Sequence, residues 1–167
     1  MANKNCISAC AVLTNPTLGL QGFVEFTELH TAVNGKKTSI YIKISGLIPY
    51  SVHGIHIHEF GDLRKGCDSV CSHYNPFNSQ HGDLNSPKSQ RHVGDLGNIQ
   101  ANKYGNIDII LYDNLIKLRG KYSIIGRSVV LHRDPDDLGL GNNPDSLTTG
   151  HSGPRIACGV IGYSSKC

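Results

Sequence analysis

Ile40, Ile42 and Ile44 alternate with Tyr41 and Lys43. A period of two sends successive side chains to opposite faces, which suits a half-buried antiparallel strand and not a helix. Val24 and Phe26 repeat the pattern between Phe23, Glu25 and Thr27, and Asn34-Gly35, between the two runs, is a strong hairpin signal. Residues 6–13, 52–58, 96–102, 107–112, 128–132 and 156–163 read as further short strands. Asn15-Pro16 ends the first strand, and Tyr104-Gly105-Asn106 is a turn. No segment long enough for a stable helix carries an amphipathic helical pattern. Charged residues make up only 17% of the chain and Gly fills 19 positions, which favours strands joined by turns over long solvated helices. The expected architecture is all-β: about eight strands in an antiparallel sandwich or Greek-key β-barrel, one domain over residues 1–167.

Two stretches break the pattern. Residues 60–94 lose all periodicity and are dominated by Gly, Asp, Ser, Asn, Pro and His. Residues 133–154 form a second polar loop. Loops this long are uncommon inside a compact domain and are usually functional or disordered.

The imidazoles supply a reason for them. His56 and His58 are two apart on a strand, so they share one face while Ile55 and Ile57 point to the core. Alone, the pair reads equally well as two solvated surface histidines. The first loop adds His73, His81, His92 and Asp95, and His132 ends the apolar run Val129-Val130-Leu131. Metal bonds can order a segment that lacks secondary structure. All-imidazole ligation suits copper, zinc, iron or nickel, and three His with one Asp suit a closed zinc site.

Other classes are excluded more simply. A formal charge of +3 with scattered Lys and Arg is too mild for a nucleic-acid surface. No run approaches the roughly 18 apolar residues of a membrane span. The start, Met1-Ala-Asn-Lys-Asn-Cys-Ile-Ser, lacks a basic region followed by an apolar stretch, so a cytoplasmic location is expected. On that basis most of the six Cys are expected as free thiols.

The runs Gly54-Ile55-His56-Ile57-His58-Glu59-Phe60-Gly61-Asp62, His73-Tyr74-Asn75-Pro76, Arg91-His92-Val93-Gly94-Asp95-Leu96-Gly97-Asn98 and Arg155-Ile156-Ala157-Cys158-Gly159-Val160-Ile161-Gly162 resemble copper/zinc superoxide dismutases. The resemblance spans nearly the whole chain, in order and in spacing. It implies an eight-stranded Greek-key β-barrel of immunoglobulin-like sandwich type, with two functional loops. It implies copper ligands at His56, His58, His73 and His132, and zinc ligands at His73, His81, His92 and Asp95, with His73 shared. Asp136 matches a carboxylate linking a copper His to a zinc His. Cys67 and Cys158 match the family's disulfide, against the compositional expectation. His53 matches a buried structural His, whereas His30 and His151 are expected at the surface. Arg155 and Thr149 match the pair that narrows the substrate channel.

The implied reaction converts superoxide to oxygen and hydrogen peroxide. The implied partners are superoxide, a second copy in a homodimer, and a copper chaperone. Three departures stand out. The stretch Asn143-Pro144-Asp145-Ser146-Leu147-Thr148-Thr149 has one acid and no Lys where the family often has two acids and a Lys. The segment from His81 to His92 is slightly longer than usual. Cys71 replaces a residue that is commonly Gly, near enough to Cys67 to compete for the disulfide or a metal. The rival readings are a copper-carrying relative, whose Cys-x-x-Cys and Cys-x-Cys motifs do not occur in this sequence, an inactive relative, which the full ligand set and Arg155 disfavour, and a zinc-stabilised binding module, which leaves His56, His58 and His132 idle.

Overall fold

The alternation seen in the sequence becomes the inner face of a sheet. In the computed structural model, which describes residues 7–31 and 35–165, β1 (Ser8–Asn15) pairs with β2 (Leu20–Thr31), and β2 pairs with β3 (Gly35–Ser45), all antiparallel. Ala9, Ala11, Leu13, Val24, Phe26, Ile40, Ile42 and Ile44 are all buried. Val24 stands opposite Ile42 and Phe26 opposite Ile40, the register that the period of two demands. Thr31 pairs with Gly35 as a hairpin requires. Asn34 lies outside the described residues, as do Cys6, Cys167 and the side chain of His30.

The chain then leaves this sheet. β4 (Val52–His58), β6 (Asp95–Gln100), β8 (Ser128–His132) and β9 (Arg155–Val160) form a second sheet in the order β6-β4-β8-β9. β7 (Ile107–Asp113) returns to the first sheet beside β3, giving crossovers of the Greek-key kind. Inner residues of both sheets, among them Phe26, Ile42, Ile55, Ile57, Val129 and Leu131, share one core.

Three expectations need correction. The described strands form two antiparallel sheets, of five and four strands, and not a closed barrel. Packing joins the sheets where a hydrogen-bonded ladder does not. Gly159 is the clearest case, since a Cβ there would collide with the Val12 carbonyl of the facing sheet. Second, the expected last strand is split. β9 ends at Val160, Ile161 is buried, and β10 (Gly162–Tyr163) pairs with β1 in the other sheet. A short β5 (Arg64–Cys67) also lies inside the first loop. Third, the segment 114–127, unassigned from sequence, buries Ile116, Leu118 and Ile124. Thr38 Oγ1 donates to the Ile116 carbonyl at 2.9 Å, and the Leu118 amide donates to buried Glu28 at 2.8 Å.

Arg91 locks the first loop onto this frame. It is 1% exposed. Nη1 donates to the Asp95 carbonyl at 2.8 Å, and Nη2 pairs with Asp113. Asp113 in turn accepts from the amides of Leu115 and Ile116, both at 2.6 Å. One buried ion pair therefore joins the end of the first loop, the end of β7 and the start of the segment 114–127. Removing one partner of such a pair strands the other charge, at a cost of about 3–5 kcal/mol. We predict that Arg91→Met lowers unfolding free energy by that amount in chemical denaturation of the metal-free protein. A loss below about 1 kcal/mol, the range of exposed ion pairs, would contradict this role.

Candidate metal centre

Strand parity places the first two imidazoles. On β4, Ile55 and Ile57 point into the core, while His56 and His58 point to the other face, where the two loops cover them. β8 pairs alongside, with His132 at its end. The first loop joins by backbone pairing: the Tyr74 amide donates to the Ile57 carbonyl at 2.8 Å, and the Glu59 amide to the Ser72 carbonyl at 2.9 Å. This fixes His73 beside His58.

Each buried imidazole needs partners, and the acceptors present determine its tautomer. His58 Nδ1 lies 2.8 Å from the Cys71 carbonyl, and His132 Nδ1 lies 3.0 Å from the Gly153 carbonyl. A carbonyl only accepts, so both Nδ1 atoms carry protons. Their Nε2 lone pairs then face each other at 3.4 Å. His56 donates from Nε2 to Asp136 Oδ2 at 2.8 Å, and His73 from Nδ1 to Asp95 Oδ1 at 2.9 Å. His56 Nδ1 and His73 Nε2 are buried with no hydrogen-bond partner. Four nitrogen lone pairs, on His56, His58, His73 and His132, therefore converge within 4.8 Å of one another. Without a cation between them, this arrangement is costly.

The adjoining side is anionic. Nδ1 atoms of His73, His81 and His92 lie 2.9, 3.0 and 3.1 Å from Asp95 Oδ1. His81 Nδ1 is paired there with Asp95, and its Nε2 donates to Asp136 Oδ1 at 2.8 Å. On this side, one ligand atom from each of His56, His73, His81 and Asp95 lies within 4.8 Å of the others, with His92 attached through Asp95. His73 presents one ring nitrogen to each side.

Electrostatics separate the two sides. Burial pushes His56 and His58 below the ordinary imidazole range, His73 to about 3 and His132 to about 4. These rings are neutral at physiological pH, with lone pairs available. Burial opposes ionisation of Asp95 and Asp136, but hydrogen bonds from the surrounding imidazoles prevail and hold both well below the usual carboxylate range. His81 also resists charging through burial, yet Asp136 and Asp95 raise it to about 9. His56, His58, His73 and His132 thus form a neutral nitrogen cluster, and beside it lies a pair of carboxylates with one charged imidazole, His81.

Arg155 opens β9 opposite His132. Its Nη1 and Nη2 donate to the carbonyls of Cys67 and Cys71, each at 2.6 Å. The Cys67–Cys158 disulfide, with Cα atoms 5.7 Å apart, anchors this segment to β9. Cys71 takes no part in the disulfide and is an exposed free thiol. Arg155 and Thr149 line a cleft of about 300 Å³ that reaches His58, His73 and His132. His53 is buried and bonds through Nδ1 to the His132 carbonyl at 2.8 Å.

Several contributors escaped the sequence reading. The carbonyls of Cys71 and Gly153 orient His58 and His132, and a backbone atom has no residue signature. Asn98 brackets Asp136, accepting from its amide at 2.7 Å and donating to its carbonyl at 2.8 Å. Gly150 (φ 67°) packs against Asp136 and His81, where a Cβ would collide with both.

Residues 20–161 match the family of copper/zinc superoxide dismutases. A superoxide dismutase [Cu-Zn] of Paramecium bursaria Chlorella virus 1 is 52% identical over 161 residues, covering 96% of this chain and 80% of that one. The Saccharomyces cerevisiae superoxide dismutase [Cu-Zn] is 44% identical over 160 residues, covering 95% and 99%. A solved structure titled as the clock protein EA4 superposes with a TM-score of 0.86 at 41% identity, covering 97% of this chain and 98% of that one. On the family match and these identities, the chain belongs to the copper/zinc superoxide dismutase family.

Proposed function

We propose that this protein dismutes superoxide, two anions and two protons giving one oxygen and one hydrogen peroxide, at a copper held by His56, His58, His73 and His132. The convergence of four neutral imidazole lone pairs carries this reading. Zinc goes to His73, His81, His92 and Asp95. His56 has only one lone pair, since Nε2 is committed to Asp136, and the four-nitrogen cluster requires it; His92 completes the zinc set. Copper supplies one-electron chemistry in both directions, and zinc supplies charge without redox activity.

The chain's own groups do the rest. Arg155, permanently charged, attracts and orients the small anion above the imidazoles. Thr149 narrows the cleft. His73 borders the cleft, and its Nε2, which has no hydrogen-bond partner, is the atom we assign to carry a proton to the reduced substrate, with Nδ1 held on the Asp95 side. Purified, metal-loaded protein should contain about one copper and one zinc per chain and consume superoxide at rates near the diffusional ceiling. Zinc alone with no consumption would favour a binding module; both metals with no consumption would favour a carrier.

A homodimer is part of the proposal. Phe60 is 53% exposed and Leu63 and Val160 are each 39% exposed. Gly61, next to Phe60, packs against Val160. This apolar patch suits a second copy of itself. Sedimentation should show a dimer that Phe60→Glu converts to monomer; a monomeric wild type would contradict it.

Two further outcomes follow from the charges. Arg155→Ala should keep both metals and lose about tenfold or more in rate at low salt, with Arg155→Lys intermediate; an unchanged low-salt rate would remove Arg155 from substrate capture. His81, at about 9 in the metal-free protein, is protonated at neutral pH, so zinc must expel the Nδ1 proton. Raising pH removes that competitor, so zinc affinity should climb about tenfold per pH unit from about pH 6 to 9. Calorimetry in buffers of different ionisation enthalpy should find about one proton released per zinc near pH 7; none released would contradict the assignment.

A further inference from the structure

We propose that Arg127 is a positioning residue for the four-imidazole cluster: its guanidinium clamps the residue after His58 to the residue after His73, and so fixes the separation of those two ligands. The proposal rests on the copper reading of that cluster and deepens it.

The two ligands sit on different parts of the chain. His58 ends β4, whereas His73 lies in the first loop and meets His58 through an isolated bridge. The ladder between β4 and β8 runs as far as His58 opposite Ser128. Past that point side chains continue it. Ser128 Oγ donates to the Phe60 carbonyl at 2.8 Å. Arg127 Nη1 donates to the Glu59 carbonyl at 2.7 Å and to Glu59 Oε1 at 3.1 Å. The same guanidinium covers the Tyr74 ring, with Cζ 3.5 Å from the ring centroid. Tyr74 is buried, and a cation held on a desolvated ring is bound more firmly than one on an exposed ring. Glu59 directly follows His58, and Tyr74 directly follows His73. One side chain therefore grips both segments a single residue beyond their ligands.

Arg127 is itself held in place. Nε donates to the Ser123 carbonyl at 3.2 Å. Its amide donates to the Ile124 carbonyl at 3.1 Å, and its carbonyl accepts from the Ile161 amide at 2.9 Å. A guanidinium is planar, permanently charged and presents its donors in a fixed fork, so it can bond Glu59 and Ser123 while it covers the ring. A Lys ammonium would keep the charge and lose the fork. Other bonds already set how each imidazole turns: the Cys71 carbonyl for His58 and Asp95 for His73. The Arg127 clamp sets how far apart the two backbones stand. Four nitrogens converge within 4.8 Å of one another, so a shift of either segment alters the whole set. Outer partners that orient metal ligands change affinity by about 10- to 100-fold when removed.

The test measures copper(II) affinity by chelator competition, and the electron paramagnetic resonance spectrum of bound copper(II). The proteins are zinc-loaded, disulfide-bonded wild type, Arg127→Met, Arg127→Lys, Tyr74→Leu and Tyr74→Phe. Arg127→Met should weaken copper binding about tenfold and change the spectrum. Tyr74→Leu should do the same, Tyr74→Phe should match wild type because it keeps the ring, and Arg127→Lys should fall between. The Arg127→Met, Tyr74→Leu double variant should lose less than the two single losses combined, since both break one contact. Chemical denaturation of the same proteins separates a structural role. Variants that lose stability but keep wild-type copper affinity and spectrum would overturn the proposal alone. Tyr74→Phe as damaging as Tyr74→Leu would overturn it too. Should Arg127→Met fail to fold, Arg127→Lys decides, and a wild-type affinity and spectrum there would overturn the clamp. A wild type whose copper spectrum shows no nitrogen ligation would overturn the copper reading, and this proposal with it.

Discussion

One buried carboxylate holds the site together. Asp136 gives Oδ2 to His56 and Oδ1 to His81, each at 2.8 Å, so it spans the nitrogen cluster and the anionic side. Its backbone is fixed by Asn98, and Oδ1 also accepts from the Leu138 amide at 2.7 Å. A charge is costly to bury unless it is fully bonded, and each of these bonds constrains a neighbour. His56 can present only Nδ1 to a metal, and His81 only its own Nδ1. The second loop, which supplies Asp136, is tied to the frame by the Gly54 amide on the Asp134 carbonyl at 3.0 Å and closed on itself by the Asp137 amide on the Gly150 carbonyl at 2.8 Å. Orientation of ligands by such outer partners governs metal affinity.

The same logic explains why the loops lack regular structure. Their order comes from side chains that converge on a centre: Arg91 on Asp113, Asp136 on two imidazoles, Arg155 on two carbonyls. The centre also stores unfavourable contacts, namely orphaned nitrogens on His56 and His73. A bound metal relieves them, so metal binding contributes directly to folding stability. The rigid sheets hold the strand histidines in place, and the disulfide between Cys67 and Cys158 holds the segment that positions Arg155.

How far the sequence showed this depended on the kind of signal. The strands around Ile40, Ile42 and Ile44, and the shared face of His56 and His58, followed from a period of two. The eight candidate ligand and linking residues came from family motifs; six of them lie in two overlapping clusters, with His92 bonded to Asp95 and Asp136 to His56 and His81. The segment 114–127 was invisible because Ile116, Leu118 and Ile124 have no period, and their partners Glu28, Thr38 and Asp113 are remote in sequence. β10 was missed because Val160, Ile161 and Gly162 read as one continuous run, although the chain changes sheets there. The carbonyls of Cys71 and Gly153 were beyond reach because every residue has one.

Hydrogen-bond acceptors dictate which nitrogen of each histidine is left for a metal. Nitrogen-15 NMR of the metal-free, disulfide-bonded protein at about pH 7 measures those tautomers directly. It should find His58 and His132 neutral with the proton on Nδ1, and His56 neutral with the proton on Nε2. The opposite tautomer on any of the three, or an imidazolium at His58 or His132, would contradict that dependence.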